Sequence, residues 1–272
     1  LLAKGHLLIE DVPGVGKTTL SHALAKLFGM DYQRIQFTSD ILPADIIGSS
    51  VFVADQQQFK FHVGPLFKQM ILADEINRAT PKAQSALLEA MEEKQVTVDG
   101  TTYPLPKPFF VIATQNPSCH VGTFPLPESQ LDRFLMRIEL GYPDQHAERE
   151  LLSGQSRHEL LDKVAEQMSV VQLVSLQQAV NNIYASPALL DYLQAIIAFT
   201  RQSGQYHSGL SPRAGLALLT AAKAWALMAG RDAVIPEDVQ VVLPAVAGHR
   251  IRSGLGDSEA IVAPILSHVA VI

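Results

Sequence analysis

Cysteine is almost missing from this chain: Cys119 is the only one among 272 residues. One thiol cannot close an internal disulfide, which excludes a disulfide-stapled scaffold and fits a reducing compartment. Long apolar runs are missing as well; none approaches the ~18 residues a membrane-crossing helix needs. No charged-then-apolar leader with a small-residue cleavage site opens the sequence, so the expected location is cytoplasmic. Charge is sparse, at 18% of residues, and its balance is acidic: 27 Asp and Glu against 21 Lys and Arg, net −6. That balance argues against a dedicated nucleic-acid surface while leaving room for a local basic channel. Internal repeats and low-complexity segments are absent too. Hydrophobic residues are plentiful, at 47%, and the length suffices for a substantial core and two domains.

The most informative stretch is EDVPGVGKTT, residues 10–19. A short aliphatic run, HLLI at 6–9, precedes it, as expected of a buried parallel strand. Leu20, Leu24, Leu27 and Phe28 follow on one helical stripe, and Gly29 suits a helix C-terminus. A glycine-rich loop between strand and helix presents free main-chain N–H groups and the positive end of a helix dipole to one spot, which is how phosphate is cradled. Pro13, Gly14, Val15, Gly16, Lys17, Thr18 and Thr19 are therefore the candidate nucleotide-binding residues. In this pattern the lysine reaches the outer phosphates and the hydroxyl after it, here Thr18, holds Mg²⁺. One position departs: the phosphate-loop pattern G-x-x-x-x-G-K-[ST] wants glycine where this chain has Asp11.

Residues 32–37 read as a second strand, and 38–48 begin like a helix capped at Ser39 or Asp40. Strand-like runs at 50–53 and 58–62 interrupt that helix, either as an inserted hairpin or as a plain surface loop. Residues 70–75, MILADE, end an apolar strand in two carboxylates. An aspartate there, Asp74, can help hold Mg²⁺, and Glu75 can polarise an attacking water. Strand alternation would aim the two side chains differently. Residues 83–91 form a helix, and Asp99-Gly100 between alternating runs signals an exposed hairpin. The strand at 108–114 leads to Asn116, whose amide either contacts the terminal phosphate or water, or simply makes an Asn-Pro turn. A last strand falls in 131–140. Five strands alternating with helices imply a parallel sheet that binds ligands at the strand C-termini.

Beyond Tyr142 the strand pattern stops. Helices are expected at 144–154, 175–184, 187–203, 212–229 and 236–253, with first-turn prolines at 187, 212 and 236. The expected division is thus an α/β nucleotide-binding core over 1–141 and an all-helical domain over 142–272. The adjacent pair Cys119 and His120, lacking further spaced ligands, reads as a surface loop rather than a metal site.

Taken together, EDVPGVGKTTL, FTSDILPADIIG, ADEINRATPKAQSALLEAMEEKQVTVDG, ATQNP, FPLPESQLDRF and LSPRAGLALL resemble the MoxR family of AAA+ ATPases through nearly the whole chain. The resemblance implies a P-loop NTPase fold: a three-layer, parallel-sheet AAA+ domain followed by a smaller helical lid. It makes Lys17 and Thr18 the Walker A residues, Asp74 and Glu75 Walker B, and Asn116 the sensor-one residue. Arg133, in LDRF, matches the arginine finger offered to a neighbouring subunit's nucleotide, and Arg213, in SPRA, matches sensor two on the lid. The segments at 40–62 and 94–105 match insertions of this clade. ATP as substrate and Mg²⁺ as cofactor are implied, as is a homo-oligomeric ring, usually a hexamer. The implied work is chaperone-like remodelling or maturation of partner complexes, often with von Willebrand factor A domain proteins. A magnesium-chelatase-type motor subunit, or a nucleic-acid-linked motor, is the alternative. Relatives usually carry an acidic stretch where this chain has Ser118 to Val121, and residues ahead of Leu1 would contribute to the adenine pocket.

Overall fold

A computed structural model describes residues 1–116, 122–154, 161, 163–251 and 258–271. Cys119 and His120 lie outside the described residues. The chain divides into two compact units. One comprises residues 8–126 and 139–172, the other residues 1–7, 127–138 and 173–272.

A five-stranded sheet has the order β2 (Tyr32–Gln36), β5 (Met70–Asp74), β8 (Phe110–Gln115), β1 (His6–Glu10), β9 (Phe134–Ile138). Strands β2 and β5 run parallel with Tyr32 opposite Met70, and β5 and β8 run parallel with Met70 opposite Phe110. Every residue of β5 is buried, as are the first five of β8. Burial on both faces is why these strands read as unbroken apolar runs rather than alternations. Helices α1 (Lys17–Leu27) and α3 (Pro81–Glu93) bury Ala25 and the stripe Ala83, Leu87, Ala90 and Met91.

The segment after β2 departs from the helix cap expected at Ser39 or Asp40. Residues 39–40 form a turn, and α2 (Pro43–Ile47) starts later, with Leu42 N–H donating to the Asp45 carboxylate at 2.8 Å. A proline at the first helical position fixes that start. The expected hairpin follows as β3 (Gly48–Val53) and β4 (Gln58–Val63), an antiparallel pair. Gly64 N–H donates to Ile47 O (3.3 Å) and Leu66 N–H to Ile46 O (3.2 Å), closing its neck. Gly48 has φ +98, and a Cβ there would collide with the His62 carbonyl oxygen. Its tip exposes the edge-to-face pair Phe52 and Phe59. The second hairpin, β6 (Gln95–Val98) with β7 (Thr101–Pro104), turns on Asp99 (φ 50) and Gly100 (φ 78). Two consecutive positive φ angles are what the Asp-Gly signal demands.

The remaining helices are α4 (Glu128–Leu131), α5 (Gln145–Leu152), α6 (Val170–Asn182), α7 (Pro187–Gln202), α8 (Pro212–Met228), α9 (Pro236–Ala247) and α10 (Ser258–His268). Ser186 and Ser211 cap α7 and α8, accepting from Leu189 N–H at 3.1 Å and Ala214 N–H at 3.0 Å. Alanines 214, 221, 222 and 226 on α8 share one core with Leu193, Ile196, Val239, Leu243 and Ile265. Two expected bounds fail here, and one helix has no counterpart in the sequence reading. Helix α6 begins at Val170, not 175; α9 ends at Ala247, not 253; α10 was not foreseen. Gly248 caps α9 and turns the chain, and the run from Ile261 to Val269, carrying Pro264 and little polar face, lacks the period that marks a helix. Strand β9 begins only at Phe134, because 128–131 are helical.

Gly48→Ala should lower stability by about 1–3 kcal/mol through positive-φ strain and the clash at His62. The thermal midpoint should fall by ~2–4 °C for each kcal/mol; an unchanged melting curve would contradict the constraint.

Candidate functional site

Between β1 and α1 the chain makes the loop at residues 11–16, with Gly14 at φ 91 and Gly16 at φ 97. A Cβ at either would meet nothing within 4 Å, so conformation rather than space requires glycine. The loop opens onto a pocket of about 160 Å³ lined by Pro13, Gly14, Gly16, Lys17, Thr18, Thr19, Asp74, Glu75 and Asn116. All the loop residues expected from sequence line it except Val15, and the two carboxylates and the amide from separate strand ends join them. A larger groove, about 690 Å³, runs between Pro43 and Thr97 along α3 and has no glycine loop.

Lys17 is 8% exposed and its Nζ donates to the Asp11 main-chain oxygen at 2.5 Å and to Asn116 Oδ1 at 3.2 Å. Burial pulls its pKa down from the ordinary lysine value, while the charges of Asp11, Asp74 and Glu75 oppose that pull. Asp11 is also buried. Its Oδ1 accepts from Val12 N–H at 2.7 Å; its Oδ2 accepts from Leu140 N–H at 2.6 Å and Gly141 N–H at 2.7 Å. Burial would raise the carboxyl pKa, but the N–H groups of Gly141, Leu140 and Val12, with Lys17, outweigh it and hold it below the usual range.

Asp74 ends β5 with both oxygens engaged. Oδ1 accepts from the Thr114 hydroxyl at 2.6 Å; Oδ2 accepts from Arg34 Nε at 3.0 Å and Nη2 at 2.7 Å. Glu75 sits just past the strand in the left-handed region, φ 57, which is uncommon for a residue with a side chain. Strand alternation therefore does not set the two carboxylates apart: the backbone reverses at Glu75, and both line the same pocket. Glu75 N–H donates to Thr114 Oγ1 at 2.9 Å, so one hydroxyl bridges both acidic positions. Glu75 Oε2 accepts from Gln36 Nε2 at 3.0 Å and Arg78 Nη1 at 2.9 Å. Asn77 donates to the Asn116 main-chain oxygen at 3.3 Å, fixing the turn that aims Asn116 at Lys17.

Arg34, Gln36, Arg78 and Thr114 were not singled out by sequence. The alternation of polar residues in YQRIQ was the available signal, since a polar residue on a strand beside a buried carboxylate is a natural partner. Arg133 and Arg213 belong to the other compact unit. There the Asp132 carboxylate accepts from Arg250 Nε at 2.7 Å and from Ser211 Oγ at 2.9 Å. The residue beside Arg133 is thus tied to the cap of the helix that carries Arg213. Arg250 also donates to the main-chain oxygens of Phe134, Leu135 and Val246.

Among the described residues no group of three or more His, Cys, Asp or Glu could hold a metal ion. A hydroxyl and one carboxylate on a shared pocket, Thr18 and Asp74, nonetheless fit Mg²⁺, which takes few protein ligands and completes its shell with water and phosphate oxygens. No helix among the described residues is long and apolar enough to cross a membrane.

Comparison with known proteins agrees with this geometry. Residues 6–136 match the family described as "ATPase family associated with various cellular activities (AAA)", and residues 198–267 match "AAA lid domain". "Uncharacterized protein YeaC" of Bacillus subtilis is 47% identical over 278 residues, spanning 100% of this chain and 87% of that protein. "Chaperone MoxR1" of Mycobacterium tuberculosis is 44% identical over 261 residues, spanning 92% of this chain and 68% of that protein. A crystal structure from Cytophaga hutchinsonii, described there as a candidate ATPase, superposes with TM-score 0.89 at 39% identity, covering 100% of this chain and 87% of that one.

Thr114→Val should destabilise by about 1–3 kcal/mol, because the Asp74 carboxylate and Glu75 N–H both lose a partner at a mostly buried site. Denaturant unfolding would measure it; a midpoint equal to wild type would show that the bridge carries no stability.

Proposed function

The chain belongs to the MoxR family of AAA+ ATPases, and on that premise we propose that it binds and hydrolyses ATP in the glycine-loop pocket, assembles into a ring and remodels partner protein complexes. The observation that carries the reading is the convergence of Gly14, Gly16, Lys17, Thr18, Asp74, Glu75 and Asn116 on one pocket. Main-chain N–H groups of the loop and the start of α1 receive the phosphates, and Lys17 exchanges its Asp11 and Asn116 partners for the outer phosphate oxygens. Thr18 and Asp74 would hold Mg²⁺, which supplies charge neutralisation at the phosphates. Glu75, steadied by Gln36 and Arg78, orients and polarises the attacking water, and Asn116 fixes the geometry of water or terminal phosphate.

Arg133 acts as the finger reaching a neighbouring subunit's nucleotide and Arg213 as the lid's sensor, so that turnover depends on assembly, most simply a hexamer. The proposed division along the chain is a nucleotide core over 1–141 and a lid over 142–272, with residues 1–7 and 127–138 lying in the compact unit of the lid helices and 142–172 in that of the core. The name of the Mycobacterium tuberculosis relative supports a chaperone-like role. A protein with a von Willebrand factor A domain is the proposed class of partner, and the cytoplasm the proposed location.

Glu75→Gln should leave the Kd for MgATP within about threefold while turnover drops by about 10²–10⁴-fold. Calorimetry and phosphate release measure the two, and wild-type turnover in that variant would defeat the assignment. Arg133→Ala should retain nucleotide binding and lose about 10³-fold or more in rate. Mixed into wild-type protein, it should depress activity beyond simple dilution; loss in proportion to dilution would refute the role across subunits.

A further inference from the structure

The phosphate-loop pattern asks for glycine at the position of Asp11. Glycine would offer the same main-chain oxygen to Lys17 but no carboxylate. A negative charge at the root of a polyphosphate site repels the ligand, so its presence calls for a physical reason. The hydrogen bonds supply one. The carboxylate is consumed by three main-chain N–H groups, those of Val12, Leu140 and Gly141. Asp11 N–H donates to Gln115 O at 3.2 Å, one residue before Asn116. Its own carbonyl oxygen takes the Lys17 ammonium at 2.5 Å. One residue thus joins the root of the phosphate loop, the end of β8 and the chain at 140–141.

We propose that Asp11 is a positioning residue for nucleotide binding: its carboxylate fixes the root of the loop to the main chain at Leu140 and Gly141, which sets where the loop N–H groups and Lys17 meet the phosphates. Charge-assisted bonds to main-chain N–H groups are strong and directional. Loop geometry fixed before the ligand arrives spares the ordering cost of binding.

The proposal rests on the nucleotide-binding reading above, and one titration separates the two. A fluorescent ADP analogue is titrated into wild type, Asp11→Ala and Asp11→Asn, and Kd is taken from the curve. The titration is run well below each variant's melting midpoint, where the folded fraction is close to one and the apparent Kd, which scales as the inverse of that fraction, reports binding rather than destabilisation. Asp11→Ala should weaken binding about tenfold, and Asp11→Asn, which keeps the size and one acceptor oxygen, about threefold. If the carboxylate contributed only repulsion, both substitutions would tighten binding. Unchanged or tighter binding in Asp11→Asn therefore overturns the proposal. Absence of binding by wild type would instead bring down the nucleotide reading itself. Should Asp11→Ala fail to fold, the asparagine variant carries the same comparison.

Discussion

A buried ammonium governs the site. Lys17 lies under the loop it follows, and burial of a charge is costly unless hydrogen bonds and opposite charges offset it. The offset comes from three directions: the Asp11 carbonyl, the Asn116 amide oxygen, and the carboxylates of Asp11, Asp74 and Glu75. Each stands at or just past the C-terminal end of a sheet strand, β1, β8 or β5. Asp74 and Asn116 reach the same end of the sheet because β5 and β8 run parallel, with Ala73 opposite Ala113. Sheet geometry and site electrostatics are in this sense one constraint.

The same economy holds at the acidic strand end. Thr114 lies on β8 and is buried, yet its hydroxyl both donates to Asp74 and accepts from the Glu75 main chain. It therefore holds the reversal that brings Glu75 round to the pocket. Arg34 and Gln36, two residues apart on edge strand β2, point the same way by strand alternation and reach Asp74 and Glu75 respectively. Neither carboxylate relies on a single partner, and two of the partners come from one exposed edge.

Much of this is legible in the amino-acid sequence alone. The loop was readable because Gly14 and Gly16 serve a backbone conformation that few other residues adopt. Strands β5 and β8 were readable because double-sided burial leaves continuous apolar runs, and the β6–β7 turn because Asp-Gly tolerates two positive φ angles. The hidden parts share a cause. Thr114, Arg34 and Gln36 have residue types equally at home on a solvated strand, and only the third dimension sets them beside Asp74 and Glu75. Helix α10 was hidden because an apolar segment with a central proline carries no period to read. The turn at Glu75 was missed for a different reason: alternation assumes that a strand continues, and this one stops a residue early.

Arg250 bears on how the polypeptide is made. Its buried guanidinium binds the carboxylate and main chain of Asp132, 118 positions earlier. At ribosomal speeds of about 5–20 residues per second, the earlier segment emerges on the order of ten seconds before its partner. Through that interval Asp132 and the carbonyls of Phe134 and Leu135 wait in water without the cation that will bind them. The unit that contains Arg133 thus reaches its final arrangement only after residue 250 has emerged, and a nascent chain halted before that point would carry that arginine on an unfinished support.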